Sequence, residues 1–259
     1  MASPSTQTLL EFALDAAWQA GRVTLGYFQS EPTVERKADN SPVTLADREA
    51  EQKLRGLINQ YWPDHGIIGE EFGRSTSDSR YTWVIDPIDG THSFICGVPF
   101  YSVLLALADG DDVIIGIIHL PALNETVYAI RGGGCYWNGR RAHVSQVDKL
   151  EDAIVLASEL DTFARCGRED AWQRLIDATY QQRTWGDGYG HSLVATGRAE
   201  VMVDPILDLW DAAPLQVIME EAGGTLTDWR GKSTVHSEEA IATNGVLFEQ
   251  VMDIVGQTD

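Results

Sequence analysis

The run Asp86-Pro87-Ile88-Asp89-Gly90-Thr91 constrains this chain more than any other stretch. It follows an alternating apolar segment from Tyr81, which reads as a strand ending at Asp86. Pro87 has no N–H to continue a ladder, so the chain is expected to turn there and bring Asp89 back towards Asp86. Two carboxylates placed this way can bridge a pair of metal ions about 3.5–4 Å apart, the spacing used for in-line phosphoryl displacement. The Ile88 carbonyl would add a further oxygen. Asp, Pro and Gly are also ordinary turn residues, so the run alone would read as a surface turn. Its company decides the matter: Glu70-Glu71 follow the short apolar strand Ile67-Ile68, and Asp211 opens a helix. A buried set of such acids is stable only when cations neutralise it, and hard oxygen donors without thiolate or imidazole select Mg²⁺ or Mn²⁺. With a Gly-Thr turn able to offer backbone N–H groups, the chemistry points to phosphate cleavage.

Each acid also has a plainer reading. Neighbouring strand residues point to opposite faces, so only one of Glu70 and Glu71 is expected in the site. Asp211, with Pro214 three residues on, is either a helix cap or a metal ligand, since both roles use the same oxygens. Asp47 lies near the start of a helix, where the dipole favours a negative charge.

Composition sets the outer limits. A chain of 259 residues, 44% hydrophobic, can bury a sizeable core as one large domain or two packed halves. A formal charge of −20 opposes binding to nucleic acid or to an anionic membrane, both of which need basic patches. Cys96, Cys135 and Cys166 are odd in number and far apart, which predicts neither a disulfide framework nor a zinc site. The start Met1-Ala2-Ser3-Pro4-Ser5 has no basic-then-apolar signal region, and no apolar run reaches membrane-spanning length. A soluble cytoplasmic protein is expected.

Leu10, Leu14, Ala17, Gly21, Leu25 and Phe28 recur at helical spacing, and Ala46, Ala50, Leu54, Leu57 and Tyr61 mark a second helix. From residue 66 to 130 the pattern turns to strands joined by short turns, an antiparallel meander. Beyond Leu150 strands and helices alternate: strands at 154–157, near Arg183 and at 201–203, helices at 171–178, 192–195 and 211–222. Residues 1–150 are therefore expected to form an α+β half carrying most of the acids. Residues 151–259 would form an α/β half carrying Asp211 and the groups that meet the substrate.

The order Gly69-Glu70-Glu71, then Asp86 to Thr91, then Trp210-Asp211-Ala212-Ala213 ahead of Glu221-Ala222-Gly223-Gly224 resembles the inositol monophosphatase superfamily. Trp185 to Gly190, Leu193 to Glu200 and Val203-Asp204-Pro205 are most similar to its histidinol-phosphate phosphatase branch. The likeness runs from about Arg36 to Gly224. It implies an α+β fold, a layered α-β-α-β-α sandwich, and a homodimer. It also implies that Glu70, Asp86, the Ile88 carbonyl, Asp89 and Asp211 hold about two or three Mg²⁺ ions, with Mn²⁺ an alternative. Glu70, Thr91 and Asp47 would then be the catalytic group that orients the attacking water. Asp89, Gly90 and Thr91 would meet the phosphate, and Arg183, Asp187 and Asp204 the rest of the substrate. His92 departs from the Lys, Thr or Arg common at its place in the family.

The expected reaction is hydrolysis of a small phosphate monoester, L-histidinol phosphate, in histidine biosynthesis. Its ammonium and imidazole would be drawn to Asp187 and Asp204, although surface charge is the plain alternative for both acids. Ser158 and Glu159 are lesser candidates. An inositol-1-phosphate or broad sugar-phosphate phosphatase is the alternative, and a non-catalytic regulator on the same fold a third reading.

Overall fold

The computed structural model describes residues 4–30, 33–37 and 42–256, so the amino-terminal reading at residues 1–3 lies outside the described residues. Helices α1 (Thr6–Tyr27) and α2 (Leu45–Tyr61) begin at side-chain caps. Ser5 Oγ accepts from Thr8 N–H at 3.1 Å, and Thr44 forms a capping box with Asp47. Between the helices, β1 (Val34–Arg36) pairs antiparallel with β2 (Pro42–Thr44).

Eight strands form the larger sheet. They are β3 (Gly66–Gly69), β4 (Gly73–Ser75), β5 (Tyr81–Asp89), β6 (Ser102–Asp109), β7 (Asp112–Leu120), β8 (Glu125–Ile130), β9 (Gly134–Trp137) and β10 (Arg140–Arg141). The order is β10-β9-β8-β7-β6-β5-β3-β4, with the short helix α3 (Thr91–Ile95) between β5 and β6. The meander from β5 to β10 is antiparallel, as the turn spacing predicts, while β3 joins β5 in parallel.

The second sheet is β12-β11-β13-β15-β14, built from β11 (Ile154–Ala157), β12 (Gln181–Arg183), β13 (Val201–Asp204), β14 (Thr225–Thr227) and β15 (Ala240–Thr243). Helices α4 (Asp161–Arg165) and α5 (Glu169–Ala178) link β11 to β12, and α6 (Asp187–Ala195) links β12 to β13. Then come α7 (Leu209–Ala222) and α8 (Phe248–Val255). The helix expected over 192–195 in fact starts at Asp187, because the glycines at 188 and 190 are tolerated where neighbours approach closely.

Burial follows the strand period. In β5 and β6, Trp83, Ile85, Val103, Leu105 and Leu107 face α1 and α2, while Val84, Leu104 and Ala106 face the opposite way. That second face packs on α6 and α7, whose other side meets Leu156, Met202 and Ala242 of the smaller sheet. The outer face of the smaller sheet, with Val155, Val201 and Ile241, is covered by Phe163, Trp172, Leu175 and Val251 from α4, α5 and α8. The layers are thus α-β-α-β-α. Strands of the larger sheet end at Arg141 and those of the smaller begin at Ile154, but the middle core draws on both.

Candidate active site

Strand β5 does not end at Asp86, as the sequence pattern predicts, but runs on through a bulge to Asp89. Asp86 pairs with Leu104 and Asp89 with Ser102, an advance of three residues on β5 against two on β6. In an unbroken strand, residues three apart point to opposite faces; one extra residue restores them to the same face. Pro87 sits where the ladder is already interrupted, so its missing N–H costs nothing there. The bulge is pinned by Asp86 Oδ1, which accepts from Ile88 N–H at 3.0 Å.

Asp211 completes the cluster from the other side of the core. Carboxylate oxygens of Asp86, Asp89 and Asp211 all lie within 4.8 Å of one another. Asp211 is the third residue of α7 rather than its cap; Asp208 takes that place, and Asp211 Oδ2 accepts from Asp208 N–H at 3.0 Å. Capping therefore engages one oxygen of Asp211 and leaves the other available to a cation. Asp89 Oδ2 is held by Ser102 Oγ at 2.7 Å and by Gly188 N–H at 2.6 Å, which ties the larger sheet to the start of α6.

Glu70 lies beside Asp86, and Lys37 Nζ sits 2.6 Å from its Oε1. Glu71 also turns inward: its side chain is largely buried, with Oε1 2.5 Å from the same ammonium. The expected division between opposite faces fails because β3 stops at Gly69, so strand alternation no longer governs residues 70 and 71. Glu51, wholly buried in α2, fixes that corner. It accepts from Glu71 N–H at 2.7 Å, Phe72 N–H at 3.3 Å and Arg55 Nε at 2.6 Å. Nothing in the sequence singles out Lys37, Glu51 or Ser102, because each looks there like an ordinary polar residue.

Thr91 stands in the first turn of α3, behind Gly90 in the left-handed region at φ +81°. Its Oγ1 donates to the Ile88 carbonyl at 2.9 Å and lies 3.4 Å from Asp47 Oδ1. The other oxygen of Asp47 accepts from Thr44 N–H at 2.7 Å and Thr44 Oγ1 at 2.6 Å, so one buried acid both caps α2 and faces Thr91.

The electrostatics of the cluster are those of crowded acids. Burial, then the charges of Glu70, Asp211 and Asp89, push Asp86 well above the usual carboxylate range. Burial and the Asp89 charge do the same to Asp211. Burial also raises Glu70 and Asp89, opposed by Lys37 for the first and by the Ser102 and Gly188 hydrogen bonds for the second. Lys37 is raised too: burial works against its charge, but Glu70 and Glu71 outweigh it. Buried like charges of this kind are relieved by protons or by a cation. Since every donor of the trio is oxygen, the cluster fits a hard divalent cation.

The cluster adjoins a cleft of about 840 Å³, lined among others by Glu70, Asp89, Thr91, Asp187, Asp204 and Asp211. Asp187 begins α6 at φ +56°, and its Oδ2 lies 2.8 Å from where a Cβ on Gly90 would stand. Burial, then the charges of Asp89, Asp204 and Glu159, push its carboxyl well above the usual range. Ser158 also lines the cleft, as does the pair His92–Glu159, with Nε2 and Oε1 3.5 Å apart. Arg183 does not line it: the guanidinium donates to the Gln182 carbonyl at 2.7 Å and lies over the Trp185 ring.

The chain matches the inositol monophosphatase family over residues 5–258. It is 41% identical over 250 residues to a histidinol-phosphatase of Chlorobaculum parvum, covering 95% of this chain and 96% of that one. A histidinol-phosphatase of Mycobacterium tuberculosis is 36% identical over 250 residues, covering 94% and 95%. Among solved structures, a Thermotoga maritima IMPase superposes with a TM-score of 0.89 at 31% identity, covering 96% of this chain and 97% of that one.

Proposed function

The chain belongs to the inositol monophosphatase family, and from that premise we propose that this phosphoric monoester hydrolase acts on L-histidinol phosphate, with Mg²⁺ as its cofactor. The observation that carries the substrate is Asp187. Asp187 stands against Gly90, at the turn proposed to meet phosphate, where neighbouring acids already raise it and a substrate that is only anionic would raise it further. It becomes useful when the substrate also brings an ammonium group, as histidinol phosphate does. The histidinol-phosphatase relatives support the same choice.

Asp86, Asp89, Asp211 and Glu70, with the Ile88 carbonyl, would hold the cation. When bound, Mg²⁺ offsets charge growing on the phosphate oxygens and makes water acidic enough to attack in line at neutral pH. The N–H groups of the first turn of α3 have no intrahelical acceptor and are available to phosphate oxygens. Thr91 Oγ1 has one hydrogen, directed at Ile88 or Asp47, which leaves its lone pairs to accept from the attacking water and orient it. Asp47, whose Oδ1 lies 3.4 Å from Thr91 Oγ1, would receive the proton. A cytoplasmic homodimer belongs to the same reading; among the described residues no helix is long and apolar enough to cross a membrane.

The Thermotoga IMPase likeness favours a second reading, inositol-1-phosphate as substrate. A non-catalytic regulator fits less well, because the whole acid set is present. The test is phosphate release from L-histidinol phosphate, inositol-1-phosphate, fructose 1,6-bisphosphate and 3′-phosphoadenosine 5′-phosphate, with Mg²⁺ and after chelation. A higher kcat/KM for inositol-1-phosphate would overturn the substrate. Full activity in metal-stripped protein would overturn the cofactor.

A further inference from the structure

Behind the cleft a chain of buried hydrogen bonds ends on Asp187. His191 is wholly buried in α6, and its Nε2–H donates to Asp204 Oδ2 at 2.9 Å. Ser158 Oγ, just past β11, donates to Asp204 Oδ1 at 2.8 Å. The same Ser158 oxygen accepts from Asp187 N–H at 2.9 Å. Asp204 is 3% exposed and receives one internal donor on each carboxylate oxygen, so it is not free to swing towards a ligand. Asp187, by contrast, stands at the edge of the cleft with its backbone in the left-handed region, which Asp adopts more readily than most residues, and its N–H is held by Ser158. Gly186 makes that possible: a Cβ there would stand 2.3 Å from Ser158 Cα, so glycine is what lets the start of α6 come up against β11.

We propose that His191, Asp204 and Ser158 are positioning residues that hold Asp187 for the cationic part of the substrate, with Asp204 an anchor rather than a second contact. The proposal rests on the reading that the substrate carries an ammonium group, and it deepens it. His191 contributes one specific thing, a buried N–H that fixes the anchor's orientation. Its Nδ1 has no partner among the described residues, so no second bond competes with the one to Asp204.

The experiment compares Mg²⁺-loaded wild type, Asp187→Asn, His191→Leu, His191→Gln and Ser158→Ala on L-histidinol phosphate and on glycerol 2-phosphate, a small ester without a cation. His191→Leu and Ser158→Ala are expected to raise KM for histidinol phosphate about tenfold with kcat within about twofold, while kcat/KM for glycerol 2-phosphate moves less than about twofold. His191→Gln, whose amide N–H can reach the same oxygen, should restore most of the lost preference. Mg²⁺ affinity by calorimetry should stay at the wild-type level in Ser158→Ala and His191→Gln, which remove no acid and keep a hydrogen-bonding or small side chain in place. Equal losses on both esters, a loss of Mg²⁺ affinity, or no rescue by Gln would overturn the positioning role. Should His191→Leu not fold, Ser158→Ala and His191→Gln decide the matter by the same criteria. Lost preference in Asp187→Asn alone, with His191→Leu and Ser158→Ala like wild type, would sink this inference and leave the substrate reading standing. Unchanged preference in Asp187→Asn would sink both.

Discussion

Asp89 is the residue on which the site turns, because its one carboxylate is pinned from two layers at once. Ser102 holds it from β6 and Gly188 from α6, so its orientation is settled before any cation arrives. Asp89→Asn keeps that shape and removes the charge. Phosphate release at saturating Mg²⁺ should fall at least about a hundredfold, with Mg²⁺ affinity falling in parallel, while the fold survives. Near-normal turnover would remove the claim that this bulge builds the metal site. Thr91→Ala separates orientation from charge. Its hydroxyl meets a carbonyl and a carboxylate, so turnover should drop about 10- to 100-fold with Mg²⁺ affinity retained. A matching loss of affinity would show that Thr91 supports the ligands instead.

Between elements, α7 comes close against β7 in the middle layer. A Cβ on Gly116 would stand 2.3 Å from the Pro214 carbonyl oxygen, a backbone atom that cannot swing aside, and 2.6 Å from Val217 Cγ1. Gly116→Ala should therefore cost about 1–3 kcal/mol of unfolding free energy and, by pushing on the helix that carries Asp211, weaken Mg²⁺ binding as well. Denaturant midpoints and calorimetry read the two effects, and unchanged stability would show that α7 can shift freely. Such approaches bear on what the sequence makes legible. The periodicity from Leu10 onward and from Ala50 to Leu57 reveals two helices, because an apolar stripe of each faces one sheet, whereas Tyr61, read as part of the second stripe, is exposed at the helix end. The alternation from Tyr81 to Ile130 reveals the meander, and the Asp-Pro-Ile-Asp-Gly-Thr run the chemistry. Strands β14 and β15 are not legible in the sequence, since 225–227 and 240–243 are too short to show a period of two. Likewise hidden was the bulge at Pro87, which depends on the register against β6. The roles of Lys37, Glu51 and His191 exist only through partners brought together by the fold.

For the whole molecule, a net charge of −20 with several acids turned inward makes folding and metal binding one problem. In metal-free protein, Asp86, Asp211 and Asp187 are all raised, so the folded chain binds protons more readily than the unfolded chain. Their contribution to stability is fully present below the ordinary carboxylate value, about 4, and is lost as pH rises through the raised values. The melting temperature of metal-free protein should therefore fall from pH 5 to pH 8. Surface repulsion acts in the same direction, but 1 M NaCl shortens the screening length to about 3 Å and leaves mainly the buried part. Mg²⁺ should reverse the slope, because the acids must lose their protons to hold it, so stabilisation by the metal grows as pH rises. At a free concentration one hundred times its dissociation constant the ion adds about 2.7 kcal/mol. In a chain of this size that corresponds to a rise of about 5–10 °C in Tm. Asp211→Asn tests whether the buried acids are responsible, since it should flatten the metal-free slope and shrink the response to Mg²⁺ together. A wild-type Tm that rises with pH in metal-free protein at high salt would show that these carboxylates do not crowd one another, and the case for a cation-dependent site would lose its electrostatic basis.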